Sequence, residues 1–149
     1  MSASVVETFE LERMIERAID DLEPTKEDMQ IVGDVILERI LDRLSQGLGA
    51  DGQPLAPYAA STRRQRAKRG REVDLVTLMD TGRMVSFIVA VPAKKHATIY
   101  VSSSTEREKL KRIEAGTRHM PPRVILAENA DDMEIVADLL IARLSARIG

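Results

Sequence analysis

The sequence predicts an α+β domain in which a small antiparallel sheet packs against long N- and C-terminal helices, with an extended loop and a basic helix between them. Three observations lead there. Apolar residues recur at helical spacing near both ends of the chain, two short stretches alternate with a period of two around residues 85–102, and a segment dense in Gly and Pro runs into a cluster of arginines.

Residues 8–22 carry Leu11, Met14, Ile15, Ala18, Ile19 and Leu22 at helical spacing, and Pro24 stops them, so residues 1–24 form a peripheral N-terminal helix. Thr25 with Asp28 has the spacing of a capping box, with Asp in place of the usual Glu, at the head of a helix running to about residue 46. Its buried stripe is Met29, Val32, Ile36, Ile40 and Leu44, widened by Ile31, Val35, Leu37 and Leu41, and Gly47 and Gly49 end it. The stretch GLGADGQPLAPYAAS, residues 47–61, is too rich in Gly, Pro and Asp for regular structure and reads as a loop.

In STRRQRAKRGR, residues 61–71, Arg63, Arg66 and Arg69 share one face of a helix, flanked by Arg64, Lys68 and Arg71. Val85, Phe87, Val89 and Val91 alternate with Ser86 and Ala90 to mark a strand. Ile99 and Val101 against Thr98, Tyr100 and Ser102 mark its partner, and PAKKH supplies the turn. Thr105 with Glu108 opens a short helix that Gly116 closes. Asn129 or Asp131 caps the last helix, with Met133, Val136, Ala137, Leu140, Leu144 and Ile148 inward.

Composition bounds the function. At 149 residues the chain suits one domain, residues 1–149, with its own core. Its 22 basic and 24 acidic residues leave a net charge of -2, so any cationic site is local. Cysteine is absent, which excludes disulfides, thiolate nucleophiles and cysteine metal ligands. The start, MSASVVETFELERM, has no basic run leading into an apolar one, so a secretory leader is not expected, and no apolar stretch approaches the ~20 residues of a membrane helix.

The residue patterns of catalysis are missing. His96 falls in the hairpin turn and His119 beside prolines; neither has a carboxylate or second histidine at a ligand spacing, and both read as solvated loop residues. Glu106, Glu108 and Glu114 lie among Arg107, Lys109, Lys111 and Arg112, as on a solvated ion-pair face. A phosphate-binding glycine loop and a nucleophile elbow are both lacking, and Asp51 alone is too little for a calcium loop. The expectation is a chain without enzymatic activity, cofactor or metal.

Two segments remain. The basic run fits a helix that contacts acidic protein surfaces, a merely solvated face, or nonspecific contact with the DNA backbone; none of the four aromatics lies inside it to stack on bases. The second is RIEAGTRHMPPR, residues 112–123. Its short helix offers only Leu110 and Ile113 as large anchors, and Pro121 and Pro122 stiffen the residues beyond Gly116 into an extended strip with donors at Arg118 and Arg123. Such a strip serves equally as a rigid connector or as a ledge for another protein.

In order, GADGQPLAPYAAST, the basic run, LMDTGRM, the hairpin and IEAGTRHMPPRVIL resemble the virion-morphogenesis, or tail-completion, family of Mu-like and P2-like bacteriophages. The resemblance spans roughly residues 26–145. Leu55 stands where many relatives carry tryptophan, Val124 and Ile125 where they carry an aromatic, and residues 102–111 look remodelled. Its motif positions here are Leu78, Gly82, Glu114, Gly116, Thr117, Pro121, Pro122 and Arg123.

The resemblance implies a structural protein of the virion neck, assembled in the bacterial cytoplasm, that completes or terminates the tail and permits head joining. It implies a ring, most simply a hexamer, contacting tail tube or sheath and head-connector proteins. Arg63, Arg64, Arg66, Arg69, Arg118 and Arg123 are its expected interface residues, facing acidic positions such as Glu7, Glu10, Glu12, Glu16, Asp131, Asp132 and Glu134 on neighbouring copies. The loop and basic segment, residues 47–72, are expected to be mobile before assembly. The alternatives are a head-closure adaptor on the capsid side and a small DNA-binding regulator.

Overall fold

The computed structural model describes residues 23–74, 76 and 83–148. The expected helix at 8–22, the acidic positions Glu7, Glu10, Glu12 and Glu16, and the motif positions Leu78 and Gly82 lie outside the described residues.

Helix α1 (Lys26–Ser45) starts where Thr25 turns extended, at φ -103° and ψ 168°. Thr25 Oγ1 accepts from the Asp28 N–H (3.2 Å) and Asp28 Oδ2 accepts from the Thr25 N–H (2.8 Å), the reciprocal capping box that the spacing predicts. At the far end Gly47 takes φ 72°, which lets its N–H reach the Leu44 carbonyl and the Leu48 N–H reach the Arg43 carbonyl. That pair of bonds satisfies carbonyls the helix would otherwise leave open. The predicted stripe of Met29, Val32, Ile36, Ile40 and Leu44 is buried, each large side chain contributing about 1.5–3 kcal/mol by leaving water.

Helix α2 (Ala60–Lys68) is the basic segment, and α3 (Arg83–Ser86) is a single helical turn. Strands β1 (Ile88–Pro92) and β2 (Ala97–Val101) form an antiparallel hairpin closed by the Ala93 N–H to the His96 carbonyl. The second strand buries Ala97, Ile99 and Val101, as its alternation predicts. The first differs. Val85 and Ser86 belong to the helical turn, and the side facing the core is Ile88 and Ala90, paired with Val101 and Ile99, while Val91 is 44% exposed. The cause is close approach of α1: a Cβ on Gly33 would sit 3.1 Å from that of Ala90 and 3.3 Å from that of Ala97, so the helix-facing side admits only small residues there.

Helix α4 (Ser104–Ala115) is capped by Ser103, whose side chain accepts from the Glu106 N–H; the expected cap, Thr105, lies inside the helix. Helix α5 (Ala130–Ile148) is capped by Asn129, whose Oδ1 accepts from the Asp132 N–H (3.0 Å). Val136, Ala137, Leu140 and Leu144 join the α1 stripe and the hairpin in one core, Met133 packs half-buried against it, and the Ile148 side chain, also expected inward, lies outside the described residues.

Helices α1 and α5 run antiparallel and are fastened at both ends by an aspartate held between two arginines. Asp28 accepts from Arg143 Nε (3.0 Å) and from Arg147 Nη2. Asp132 accepts from Arg39 Nε (2.5 Å) and Arg43 Nη1 (2.9 Å), and Arg43 Nη2 lies 2.8 Å from its other oxygen. Asp132 is therefore buried and internally paired, so it is not the intersubunit acid that the sequence predicts. Burial alone would raise the Asp28 carboxyl; the hydrogen bonds from Arg147, the Thr25 N–H and Arg143 overcome it and hold the group well below the usual carboxylate range. Asp132 is likewise depressed, burial being outweighed by Arg43 and Arg39.

The observed architecture is α+β: five helices and a two-stranded antiparallel sheet among the described residues. No helix among them is long and apolar enough to cross a membrane.

Candidate functional site

The motif-bearing segment begins at Gly116, which ends α4 at φ 75° and ψ 170°, a conformation essentially restricted to glycine. A side chain is excluded there on a second ground, since a Cβ would lie 2.8 Å from the Pro122 nitrogen. Thr117 and Met120 then exchange hydrogen bonds (2.8 and 3.2 Å), folding residues 117–120 into a tight turn with Arg118 and His119 exposed at its tip. The extended strip predicted for the whole of 117–123 is thus confined to its proline end.

From Arg123 onward the segment is fastened on two sides. The Arg123 N–H donates to the Ile113 carbonyl (2.9 Å), and Glu114 Oε2 accepts from both the Ile125 and Leu126 N–H groups (2.9 Å each). On the other side the Ala50 N–H donates to the Val124 carbonyl (3.0 Å), and Asn129 Nδ2 donates to the Ala50 carbonyl (2.8 Å). Arg123 completes the closure: Nε donates to Ala56 O and Nη2 to Pro57 O, both at 2.8 Å. Within the loop, Gly49 and Leu55 N–H groups donate to Gln53 and Gly47 carbonyls, so residues 47–57 carry an internal set of hydrogen bonds as well.

Tyr58 links this closure to the basic helix. The Arg123 guanidinium carbon lies over its ring, 5.6 Å from the centroid, and that of Arg66 lies over the same ring at 4.6 Å. Arg66 Nε also donates to the Glu72 carbonyl (2.7 Å). Beyond α2, Gly70 at φ 69° lets the Arg71 N–H return to the Arg66 carbonyl (2.9 Å), which closes the helix.

These contacts divide the six arginines expected at an interface. Arg63, Arg64, Arg69 and Arg118 are exposed, and Arg63 makes only an open ion pair with Asp74 (3.2 Å), worth about 0.2–1 kcal/mol. Arg66 and Arg123 are buried, Arg123 to 5% exposure, and both hold the chain's own backbone rather than presenting donors outward. Burial pulls the Arg123 guanidinium below its ordinary pKa, with Tyr58 acting in the opposite direction.

Among the motif positions, Glu114 is buried and Thr117, Pro121 and Pro122 are exposed. Glu108 does pair in solvent with Lys111, as its surroundings predict, but Glu106 and Glu114 are buried and belong to no solvated face. Glu106 lies 3.3–3.4 Å from Lys109 and Arg83. Burial raises the Glu114 pKa, and the two backbone N–H groups only partly offset it.

Among the described residues, clefts flank the closure on two sides. One, of about 320 Å³, lies between the loop and residues 122–128 and includes Leu55, Pro122 and the 41%-exposed Val124. The other, of about 520 Å³, lies between α1 and α5 beside Gly52. Among the described residues no three His, Asp or Glu side chains gather as a metal site. No protein-family model, curated protein or solved structure gives a significant match to the chain.

Proposed function

We propose that the chain is a noncatalytic structural protein of a phage virion neck, which completes or terminates the tail and allows the head to join through assembly into a ring. The ordered motifs from residue 49 to 126 support that reading, and one structural observation carries it physically. Helix α2 buries a single side chain, Arg66, and uses that one for its own attachment. Arg63, Arg64, Lys68 and Arg69 all face solvent, and among the described residues the helix adds nothing apolar to the buried core. A nine-residue helix is marginal in isolation. Its cationic face is suited to contact with another macromolecule.

In this reading the working form is a ring, sixfold to match a tail tube, located at the head–tail junction of the virion. Its neighbours are tail tube or sheath on one side and a head connector on the other. Reversing Arg63, Arg64 and Arg69 to glutamate is expected to abolish ring formation, read by light scattering after gel filtration, with the circular dichroism spectrum unchanged. In phage carrying that variant, unattached heads should accumulate beside tails. Normal joined particles would reject the proposal, and tight, salt-sensitive DNA binding by a monomer would transfer the arginine face to a DNA-binding regulator.

A further inference from the structure

The α1–α5 cleft is the acidic counterpart of α2. Its walls include the exposed carboxylates of Glu38, Asp42 and Asp131. The two arginines that also line it, Arg39 and Arg43, are both engaged by Asp132. That group of three carries one net positive charge against the three carboxylates, so the cleft is acidic by two charges. Asp42 takes a hydrogen bond from Gln46 Nε2 (2.9 Å), which leaves its charge in place. Ile135, 40% exposed, adds an apolar patch to the rim.

We propose that this cleft receives α2 of a second copy of the chain. The inference rests on the ring reading above and names the two faces it requires. The surfaces are complementary in sign, and their chemistry is matched beyond charge: arginine stems lie on apolar surface such as Ile135 while their guanidinium heads reach carboxylates at the cleft wall. Arg63, Arg64 and Arg69 are exposed for this purpose, whereas Arg66 is held by Glu72 and Tyr58 and fixes the angle at which the helix leaves its own subunit. Because the two faces differ, each copy offers one of each, and the contact repeats around a closed ring.

A reciprocal charge exchange tests it. One full-length variant carries Arg63→Glu, Arg64→Glu and Arg69→Glu; the other carries Glu38→Arg, Asp42→Arg and Asp131→Arg. Each alone is expected to be a folded monomer. Their equimolar mixture is expected to regain the wild-type assembly, because reversed helix meets reversed cleft and native helix meets native cleft in alternation. If the cleft variant alone assembles like wild type while the helix variant does not, the arginines dock elsewhere: this inference falls and the ring reading stands. A mixture that stays monomeric overturns the pairing, and a wild-type chain that remains monomeric at every concentration overturns both.

Should the triple cleft variant unfold, the cysteine-free background offers a second measurement. Arg64→Cys with Ile135→Cys is expected to give a ladder of disulfide-linked multimers under mild oxidation. Monomer alone on a nonreducing gel would overturn the proposed contact.

Discussion

The Arg123 side chain donates from Nη2 to the carbonyl of Pro57 at 2.8 Å, across 66 positions of sequence, and its Nε makes the companion bond to Ala56. The pair joins the proline segment to the loop that precedes α2, so the orientation of the cationic helix depends on a residue far from it in the chain. Replacement of Arg123 by alanine strands two carbonyls and removes a planar cation from Tyr58. The expected loss is about 2–3 kcal/mol, the scale of hydrogen bonds from a charged group. Lysine should recover little of it, because a single ammonium does not reproduce the two-pronged geometry. Urea denaturation measures the loss, and hydrogen exchange should show faster opening of residues 47–57. Arg64→Ala, on the exposed face, is expected to stay within about 0.5 kcal/mol of wild type.

Gly116→Ala tests the other end of the same segment. The residue combines a positive φ of 75° with a backbone neighbour 2.8 Å from any added Cβ. Strain of this kind amounts to about 1–3 kcal/mol before the collision with Pro122 is relieved. Thermal denaturation should therefore show a clear fall in Tm, and Gly52→Ala provides the comparison, since it has φ 79° but open space around it and so reports conformational strain alone.

What the sequence made legible is what is local. Thr25 and Asp28 sit three apart and make both bonds their spacing predicts; the α1 stripe, the α5 stripe from Val136 to Leu144 and the β2 alternation are periodic and hold in the structure. What it concealed depends on packing between distant elements. The inward side of β1 includes Ala90 because Gly33 of α1 presses against it, so the small residue marks the buried face and the valines do not. Arg123 looks like a surface cation, and its partner carbonyls leave no trace in its neighbourhood. One signal was available: Glu106, Leu110 and Glu114 fall four apart on a single helical face, and Leu110 is an obvious core residue, which places both glutamates inward. The arginines of α2 were legible as a helix, but the division between buried Arg66 and exposed Arg63, Arg64 and Arg69 required Tyr58 and Glu72 to be in place.

Asp28 sets an acid limit on the α1–α5 pairing. Its folded-state pKa is depressed below the ~3.9 of an unfolded aspartate, so at low pH the unfolded state binds more protons than the folded one. The stabilisation is complete above that value and is lost as pH falls through the folded pKa. Asp132 acts in the same direction. Asp28→Asn removes the charge that Arg143 and Arg147 share and is expected to cost about 2–3 kcal/mol at neutral pH. The variant should also lose stability less steeply than wild type below pH ~4. Equal slopes in denaturant titrations across that range would show that the pairing is not what depresses the carboxyl.

Glu114 has the opposite sign. Its pKa is raised by burial, with the Leu126 and Ile125 N–H groups opposing, so the folded chain keeps a proton that the unfolded chain has already released. Its contribution is full below the ~4.3 of an unfolded glutamate and declines as pH rises through the folded value. Glu114→Gln keeps an oxygen for the two backbone donors and removes the titration. The difference in stability between wild type and this variant should therefore move in the variant's favour as pH rises above ~4.3, then level off. Glu114→Ala, by contrast, leaves two buried N–H groups without an acceptor and is expected to lose about 1–3 kcal/mol at any pH. Together the two substitutions separate the role of the oxygen, which positions residues 125–126, from that of the charge, which the site tolerates at a cost. A glutamine variant that tracks wild type at every pH would mean that the carboxyl is solvated in the folded chain.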